Sequence, residues 1–192
     1  MDSIHKKFSN LFKIISSPEF LNKKSLGGEI PFFISTFDIK DLEGVERAIH
    51  GLRNKLESNG ITVLEINLYH LSMDILNKEL GEGEIFTLEK EMSKDEFKEA
   101  LQSILDIPQV LMPEIRKRIE QQEAKVYFLT GIANVFPFIR SHNILNNLQN
   151  IAKDAPTVMF FPGDYSGLSL ELFGLLKDDN YYRAFNIDQY KQ

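Results

Sequence analysis

The sequence contains no cysteine among its 192 residues. This absence excludes a disulfide framework, a thiolate nucleophile and a cysteine-based zinc site. The sequence also lacks long apolar runs, since no window approaches the roughly 20 apolar residues of a membrane-spanning helix. Its first segment, MDSIHKKFSNLFKIISSPEF, alternates charged with apolar residues and lacks the continuous apolar stretch of a secretory signal. We therefore expect a cytoplasmic protein that does not cross a membrane.

Basic residues are also scarce, because 22 lysines and arginines stand against 28 aspartates and glutamates, for a net charge of −6. Neutralising several phosphates of a nucleic acid requires a clustered basic face. The densest basic cluster is Arg116, Lys117 and Arg118, and acidic residues flank it at Glu114 and Glu120. This pattern is typical of a solvated helix face. We expect no direct binding of nucleic acid.

Apolar segments that suit buried strands alternate with segments of helical periodicity. The predicted strands are PFFISTFDI, ITVLEINL, KVYFLTG and PTVMFFPG, with YYRAFNI as a closing strand. The predicted helices between and after them include LEGVERAIHGLRNKLESNG, SMDILNKELG, SHNILNNLQNIAKD and LSLELFGLL. Residues 1–27 are predicted as an N-terminal helix and loop, and residues 83–122 as a helical insertion or crossover. The alternation predicts a single α/β domain over residues 1–192, with three layers and a mostly parallel sheet of about five strands.

In open parallel sheets, ligands bind beyond the carboxyl ends of the strands. This rule selects the loops that begin at Phe37, Asn67, Thr130 and Pro162. A phosphate-binding loop needs closely spaced glycines followed by lysine and a hydroxyl residue, but the first loop, TFDIKDLEGV, carries only Gly44. The third strand ends in a threonine where an NTPase usually places a carboxylate that orients magnesium. ATP hydrolysis by the phosphate-loop mechanism is not expected, and neither a cofactor nor a metal is predicted.

The segment FFPGDYSGLS follows a predicted strand and contains two glycines. It lacks lysine, and its glycine spacing does not match the Gly-x-Ser-x-Gly nucleophile elbow. We favour a structural interpretation, in which the segment forms a tight turn and Ser166 caps the following helix. The alternative is a binding role for Asp164 and Tyr165.

A polar row follows the third strand in VYFLTGIANVFPFIRSHNILNNLQN. His142 and Asn146 lie four residues apart on a predicted helix face. His142 is a candidate base, although no nucleophile with an acidic orienter is evident. Arg140 can bind a carboxylate, either on a partner or within the chain at Asp38 or Asp164. The alternative to a catalytic or binding role is that this row, which also includes Asn147, organises a loop junction through hydrogen bonds.

The two C-terminal blocks FLTGIANVFPFIRSHNILNNLQ and PTVMFFPGDYSGLSLELFGLLKDDNYYRAF closely resemble the BrxB family of bacterial BREX phage-defence systems. The segment PFFISTFDIKDLEGVERAIHGLRNKLESNGITVLEINLY is similar to the N-terminal half of that family, so the likeness covers about residues 28–187. The resemblance places Arg140, His142, Asn146 and Asn147 in one family block and Asp164 and Tyr165 in another. It carries no established catalytic residue.

The resemblance implies a small non-enzymatic component that works beside a DNA methyltransferase, a large ATPase and an alkaline-phosphatase-like protein of the PglZ type. It also implies a fold similar to phosphate-loop ATPase domains that have lost their nucleotide motifs, a degenerate P-loop. Roles in phage restriction and in methylation of host DNA follow from the same likeness. The expected partners are the PglZ-like protein and other BREX components, and a homodimer is a further alternative.

Three functions stay open at this point. The leading hypothesis is an adaptor that binds the PglZ-like subunit. The second is a nucleotide-sensing domain without hydrolysis, which would use backbone N–H groups at Gly131 or Gly163 and the charge of Arg140. The third is an enzyme with an unusual site around Arg140 and His142. For protein contacts, Tyr181, Tyr182 and Arg183 in the aromatic tail are candidate interface residues.

Overall fold

Helices and strands alternate along the chain in the computed structural model, which describes residues 2–22, 32–148, 150–178 and 184–190. The strands in these ranges are β1 (Phe32–Phe37), β2 (Val63–Asn67), β3 (Val126–Thr130), β4 (Thr157–Tyr165), β5 (Leu170–Leu172), β6 (Leu176–Asp178) and β7 (Phe185–Asn186). The helices are α1 (Asp2–Ile15), α2 (Pro18–Leu21), α3 (Leu42–Ser58), α4 (Leu68–Leu80), α5 (Glu84–Glu91), α6 (Lys94–Ile104), α7 (Met112–Gln121), α8 (Ile132–Val135) and α9 (Ser141–Leu148).

Five parallel strands form the main sheet, in the order β2-β3-β4-β1-β7. Parallel strands covered on both faces need apolar side chains in both directions, and all five residues of β3 are accordingly buried. The prediction of an α/β fold with a mostly parallel sheet is therefore confirmed. The predicted closing strand is present as β7, a two-residue strand beside β1.

Helices cover both faces of this sheet and enclose two hydrophobic cores. On one face, Leu52 and Leu56 of α3 and residues of α1 pack with Phe33, Phe128 and Phe160. On the other face, residues of α4, α6, α7, α8 and α9 pack against side chains of the opposite pleat, including Ile34, Ile66, Leu129 and Phe161. Complete burial of one such side chain contributes about 1.5–3 kcal/mol, so each helix layer is fixed by many such contacts.

The segment between β2 and β3 is helical. It consists of α4 to α7 with a π-helical turn at Ile107–Leu111. The capping box at the start of α6 is present, since Ser93 and Glu96 bond each other's backbone N–H. The Ser93 hydroxyl also donates to Glu96 Oε2 at 2.6 Å. The pKa of the exposed Glu96 carboxyl is lowered chiefly by this hydrogen bond and further by the one from the Ser93 N–H.

The prediction of a helix over LSLELFGLL is wrong. These residues form β5, a turn and the start of β6, in an antiparallel hairpin that extends from the last three residues of β4. Leu170 and Leu172 are buried and Glu171 between them is partly exposed, which is the two-residue period of a strand. Ser166 caps no helix; its Oγ instead accepts the N–H of Ser169 at 3.0 Å in the turn before β5.

Candidate functional site

A cleft of about 660 Å³ opens at the carboxyl ends of the parallel strands. The four positions selected by the strand-end rule, Phe37, Asn67, Thr130 and Pro162, all line it. The other lining residues come from α3, β2, α4, α7, α8 and β4: Leu42, Glu46, Ile49, His50, Arg53, Glu65, Tyr69, His70, Asp74, Arg118, Gly131, Ile132, Ala133, Asn134 and Phe160. The location of the cleft is therefore the one that the topology predicts.

The floor of the cleft is an ion pair between α3 and β2. Arg53 Nη1 lies 2.9 Å from Glu65 Oε2, and the Thr130 hydroxyl of β3 donates to Glu65 Oε1 at 2.9 Å. Both charged side chains are mostly buried, at 30% and 22% exposed. In the described part of the chain, Arg53 Nε is buried without a hydrogen-bond partner. The carboxylate of Glu65 thus connects two strands and a helix, and it is engaged on both oxygens.

A second ion pair joins α4 to α7 at the wall of the cleft. Arg118 Nη2 lies 3.0 Å from Asp74 Oδ2. Of the basic cluster considered in the sequence, Arg116 and Lys117 are exposed, whereas Arg118 is half-buried and lines the cleft. Its charge is committed to a carboxylate in the same cleft.

The two loops that follow β2 and β3 meet at Asn67 and Gly131. Asn67 is the N-cap of α4, and its side chain accepts the N–H of His70 at 3.1 Å. Gly131 has a φ of +74°, and a Cβ built on it would lie 2.5 Å from Asn67 Oδ1 and 3.0 Å from Tyr69 N. Glycine is therefore required here on two grounds, the left-handed backbone and the close approach of the cap. This contact fixes the corner of the cleft nearest β3.

The side chains that line the cleft offer hydrogen bonding, charge pairing and the imidazoles of His50 and His70. Over residues 2–22, 32–148, 150–178 and 184–190, no group of three or more His, Asp or Glu side chains is placed to hold a metal ion. Among the described residues that line the cleft, Thr130 is the only serine or threonine, and its hydroxyl donates to the Glu65 carboxylate and makes no hydrogen bond to a described histidine. The lining guanidinium groups are paired with carboxylates, so the cleft is poorly suited to a triphosphate.

The polar row from Arg140 to Asn147 lies at the start of α9, away from the cleft. The Arg140 carbonyl accepts the N–H of Asn143 at 3.1 Å, which begins the helix. Asn147 Nδ2 donates to the Asn143 carbonyl at 2.8 Å, one turn earlier. Asn146 is exposed and His142 is half-buried. None of the four predicted residues lines the cleft, and their assignment to a binding site stays a prediction.

The internal ion pair considered for Arg140 is not formed. Arg140 is exposed, and no described carboxylate lies within 4 Å of its guanidinium group. Asp38 pairs instead with Lys40 at 2.7 Å. This contact lowers the pKa of Asp38 and raises the pKa of Lys40, each chiefly through their shared side-chain hydrogen bond.

Asp164 and Tyr165 belong to the extension of β4 that pairs with β5. Asp164 is exposed. Tyr165 is buried, and its hydroxyl lies 2.8 Å from the Ala184 carbonyl and 3.1 Å from the Gly167 carbonyl. Tyr165 therefore ties the hairpin to the segment that leads into β7, and a binding role for this pair stays a prediction. Tyr181, Tyr182 and Arg183 lie outside the described residues.

The cleft residues Arg53 and Glu65 were not predicted. The signal that identifies Glu65 is its isolation, because it is the only charged residue in the strand segment ITVLEINL. A charge in a strand of a buried sheet requires a partner, and its position two residues before the strand end places it at the edge where ligands bind. Arg53 carries no comparable signal, since it is one of several polar residues in an amphipathic helix.

Among the described residues, no helix has the length and apolar character needed to span a membrane.

Comparisons with known proteins agree on one family. Residues 64–187 match the family model described as BREX protein BrxB. A BREX protein BrxB of Bacillus cereus (strain H3081.97) is 35% identical over 191 residues, covering 97% of this chain and 98% of the relative. A BREX protein BrxB of Escherichia coli O9:H4 (strain HS) is 26% identical over 182 residues, covering 94% of this chain and 90% of the relative. No solved structure matches significantly, so the likeness to phosphate-loop ATPase domains stays a prediction.

Proposed function

The chain belongs to the BrxB family of BREX proteins, and on this basis we propose that it is a non-catalytic adaptor of a BREX phage-defence complex. In this role it binds the PglZ-like subunit of the alkaline-phosphatase superfamily. It thereby supports phage restriction and methylation of host DNA by the assembled complex. The other BREX components are the remaining expected partners.

The observation that carries this proposal is the state of the charged groups in the cleft. Glu65 is engaged by Arg53 and Thr130, and Asp74 by Arg118. A catalytic carboxylate or base needs an oxygen or nitrogen available to the substrate. Glu65 and Asp74 instead join strands and helices to one another, whereas Glu46, the third carboxylate that lines the cleft, is exposed and has no cation within 4 Å among the described residues. This arrangement favours a framework for binding over a reaction centre.

Co-purification tests the proposal. The tagged chain is expressed with the PglZ-like protein of its BREX system, captured and washed at low salt. The complex is then measured by size-exclusion chromatography with light scattering. We expect a stable complex of defined stoichiometry. An acidic protein of similar size with the same tag serves as the control for charge-driven retention. Failure to retain the PglZ-like subunit above this control refutes the adaptor role.

A second candidate function, nucleotide sensing without hydrolysis, draws support from the position of the cleft at the strand ends, next to Gly131. The paired state of Arg53 and Arg118 weighs against phosphate binding there. Calorimetric titration with ATP, GTP and a dinucleotide decides the question. Heat that saturates with one ligand would support the sensing function, and its absence at millimolar ligand removes it.

A further inference from the structure

The cleft at the strand ends carries more negative than positive charge. Three carboxylates line it, from Glu46, Glu65 and Asp74, against the two guanidinium groups of Arg53 and Arg118, which leaves a net charge of −1 with histidine counted as neutral. Glu65 and Asp74 each face a guanidinium at 2.9 and 3.0 Å. Glu46 is exposed and has no cation within 4 Å among the described residues. The excess negative charge of the cleft is thus carried by the exposed carboxylate of Glu46.

This balance favours a cationic group over an anionic one. An incoming phosphate would meet three carboxylates and two guanidinium groups that are already engaged. An incoming arginine or lysine side chain would find the carboxylate of Glu46 without a partner. At partly exposed sites such attraction determines which partner is selected and how fast it associates.

The cleft continues into a second depression along the same edge of the sheet. The two share four lining residues, Leu42, Tyr69, Ala133 and Asn134. The second depression ends at Ile39 and Phe173 and is more apolar, so we refer to it as the shelf. A cleft lined by charged groups and joined to an apolar shelf can receive a polypeptide segment in which a charged residue has apolar neighbours.

Two aromatic side chains mark this surface. Tyr69 lies at the junction of cleft and shelf and is 38% exposed. Its ring can lie against a guanidinium group, a contact in which arginine is favoured. Phe173 lines the shelf with a φ of +60°, a backbone conformation that bulky residues seldom adopt. Phe173 and the next residue, Gly174, both have a positive φ in the turn between β5 and β6, so this conformation belongs to the hairpin, and it holds the Phe173 ring at the shelf.

We propose that the cleft and the shelf together form the docking surface for a basic segment of the PglZ-like subunit. An arginine or lysine of that segment enters the cleft beside Tyr69 and pairs with Glu46, while apolar neighbours of that residue cover the shelf. The proposal rests on the adaptor function, because it specifies where the same partner binds and by what chemistry.

The test measures the affinity of the purified PglZ-like subunit for immobilised variants of this chain by biolayer interferometry. Glu46→Lys reverses the unpaired charge, and Tyr69→Ala removes the exposed ring. Each has a matched control: Glu57→Lys makes the same charge change at an exposed position of α3 outside the cleft, and Phe86→Ala removes an aromatic ring that is 58% exposed on α5. Circular dichroism and thermal unfolding confirm that every variant is folded.

We expect Glu46→Lys and Tyr69→Ala to weaken binding at least 10-fold, and both controls to stay within 2-fold of the unchanged chain. The affinity of the unchanged chain should also fall as salt is raised, and Glu46→Lys should reduce that dependence. If the unchanged chain binds and both cleft variants bind equally well, the docking surface is refuted and the adaptor function stands. If the unchanged chain does not bind at all, both are refuted.

Discussion

The corner where Asn67 meets Gly131 allows a sharp test of how the cleft is built. Replacing Gly131 by alanine forces a residue with a Cβ to adopt a φ of +74° and places that Cβ 2.5 Å from Asn67 Oδ1. Asn67 must then move, and the hydrogen bond that caps α4 at His70 N is lost. The substitution therefore combines backbone strain with the loss of a helix cap.

The two contributions are separable because Gly60 has the same φ of +74° with nothing within 4 Å of the position a Cβ would take. The left-handed conformation costs an L-residue roughly 1–2 kcal/mol, offset by about 0.4–1 kcal/mol from the smaller freedom of alanine in the unfolded chain. Gly60→Ala should therefore lower the free energy of unfolding by roughly 0.5–1.5 kcal/mol. Loss of an N-cap adds about 1 kcal/mol, so Gly131→Ala should cost roughly 1.5–2.5 kcal/mol.

Urea unfolding followed by circular dichroism measures both free energies of unfolding. In thermal unfolding, the difference of about 1 kcal/mol between the two variants should appear as about 2–4 °C in melting temperature for a chain of this size. A double-mutant cycle adds the decisive comparison. In an Asn67→Ala background the cap is already absent, so the cost of Gly131→Ala should fall by about 1 kcal/mol. Equal costs at Gly131 and Gly60, within about 0.5 kcal/mol, or strict additivity with Asn67→Ala, would refute the argument that this contact excludes a side chain.

Three further predictions concern other contacts. Glu65→Gln should lower the free energy of unfolding, measured with urea, by about 1–2 kcal/mol because Arg53 loses its ionic partner. Combining Arg53→Met with Glu65→Leu should recover at least half of this loss. A double variant as unstable as Glu65→Gln would contradict this account. The pKa of Glu96 is lowered in the folded state, so its contribution to stability is present above the unfolded-state pKa of ~4.3 and is lost as the pH falls through the folded-state value. Ser93→Ala should raise the pKa of Glu96, observed by carbon NMR titration of its carboxyl; an unchanged pKa would show that the capping box is not its cause. Tyr165→Phe removes a buried hydroxyl near two backbone carbonyls and should cost about 1 kcal/mol in urea unfolding, whereas a neutral result would mean that the hairpin is held by apolar packing alone.

The parallel sheet and the position of the cleft at its edge could be predicted because they depend on local patterns with few alternatives. A strand buried on both faces must be apolar throughout, and segments such as KVYFLTG satisfy this without reference to the rest of the chain. Once the strands are parallel, their carboxyl ends share one edge. Phe37, Asn67, Thr130 and Pro162 consequently meet at one cleft although they are far apart in sequence.

The C-terminal hairpin could not be predicted from the same patterns. In LSLELFGLL, leucines at 168, 172, 175 and 176 fit a helical face, whereas those at 168, 170 and 172 fit a strand. The strand forms because β4 continues beyond the parallel sheet and offers Gly163, Asp164 and Tyr165 as an antiparallel partner. The pairing is a tertiary effect. It leaves Leu168 and Leu175 exposed, at 62% and 80%, which a helical interpretation would have buried.

The charged floor of the cleft depends on three-dimensional neighbours in the same way. Glu65 and Thr130 lie 65 positions apart and meet because β2 and β3 are adjacent. Arg53 reaches Glu65 because α3 packs across that face of the sheet. Because Arg53, Glu65 and Thr130 follow no fixed spacing along the chain, their contact cannot be predicted from the sequence. The polar row at Arg140 is contiguous in sequence, and for that reason a sequence pattern reveals it.

The placement of β1 between β4 and β7 has a consequence for synthesis of the chain. Register pairs Phe32 with Thr157, 125 positions later, and β1 has no other long neighbour in the described sheet. At about 5–20 residues per second, a ribosome needs roughly 6–25 s to deliver that neighbour. During this interval Phe32, Phe33 and Ile34, which are buried in the native state, face solvent or a chaperone. Nascent chains that terminate before β4 should be recovered with holdases or in aggregates.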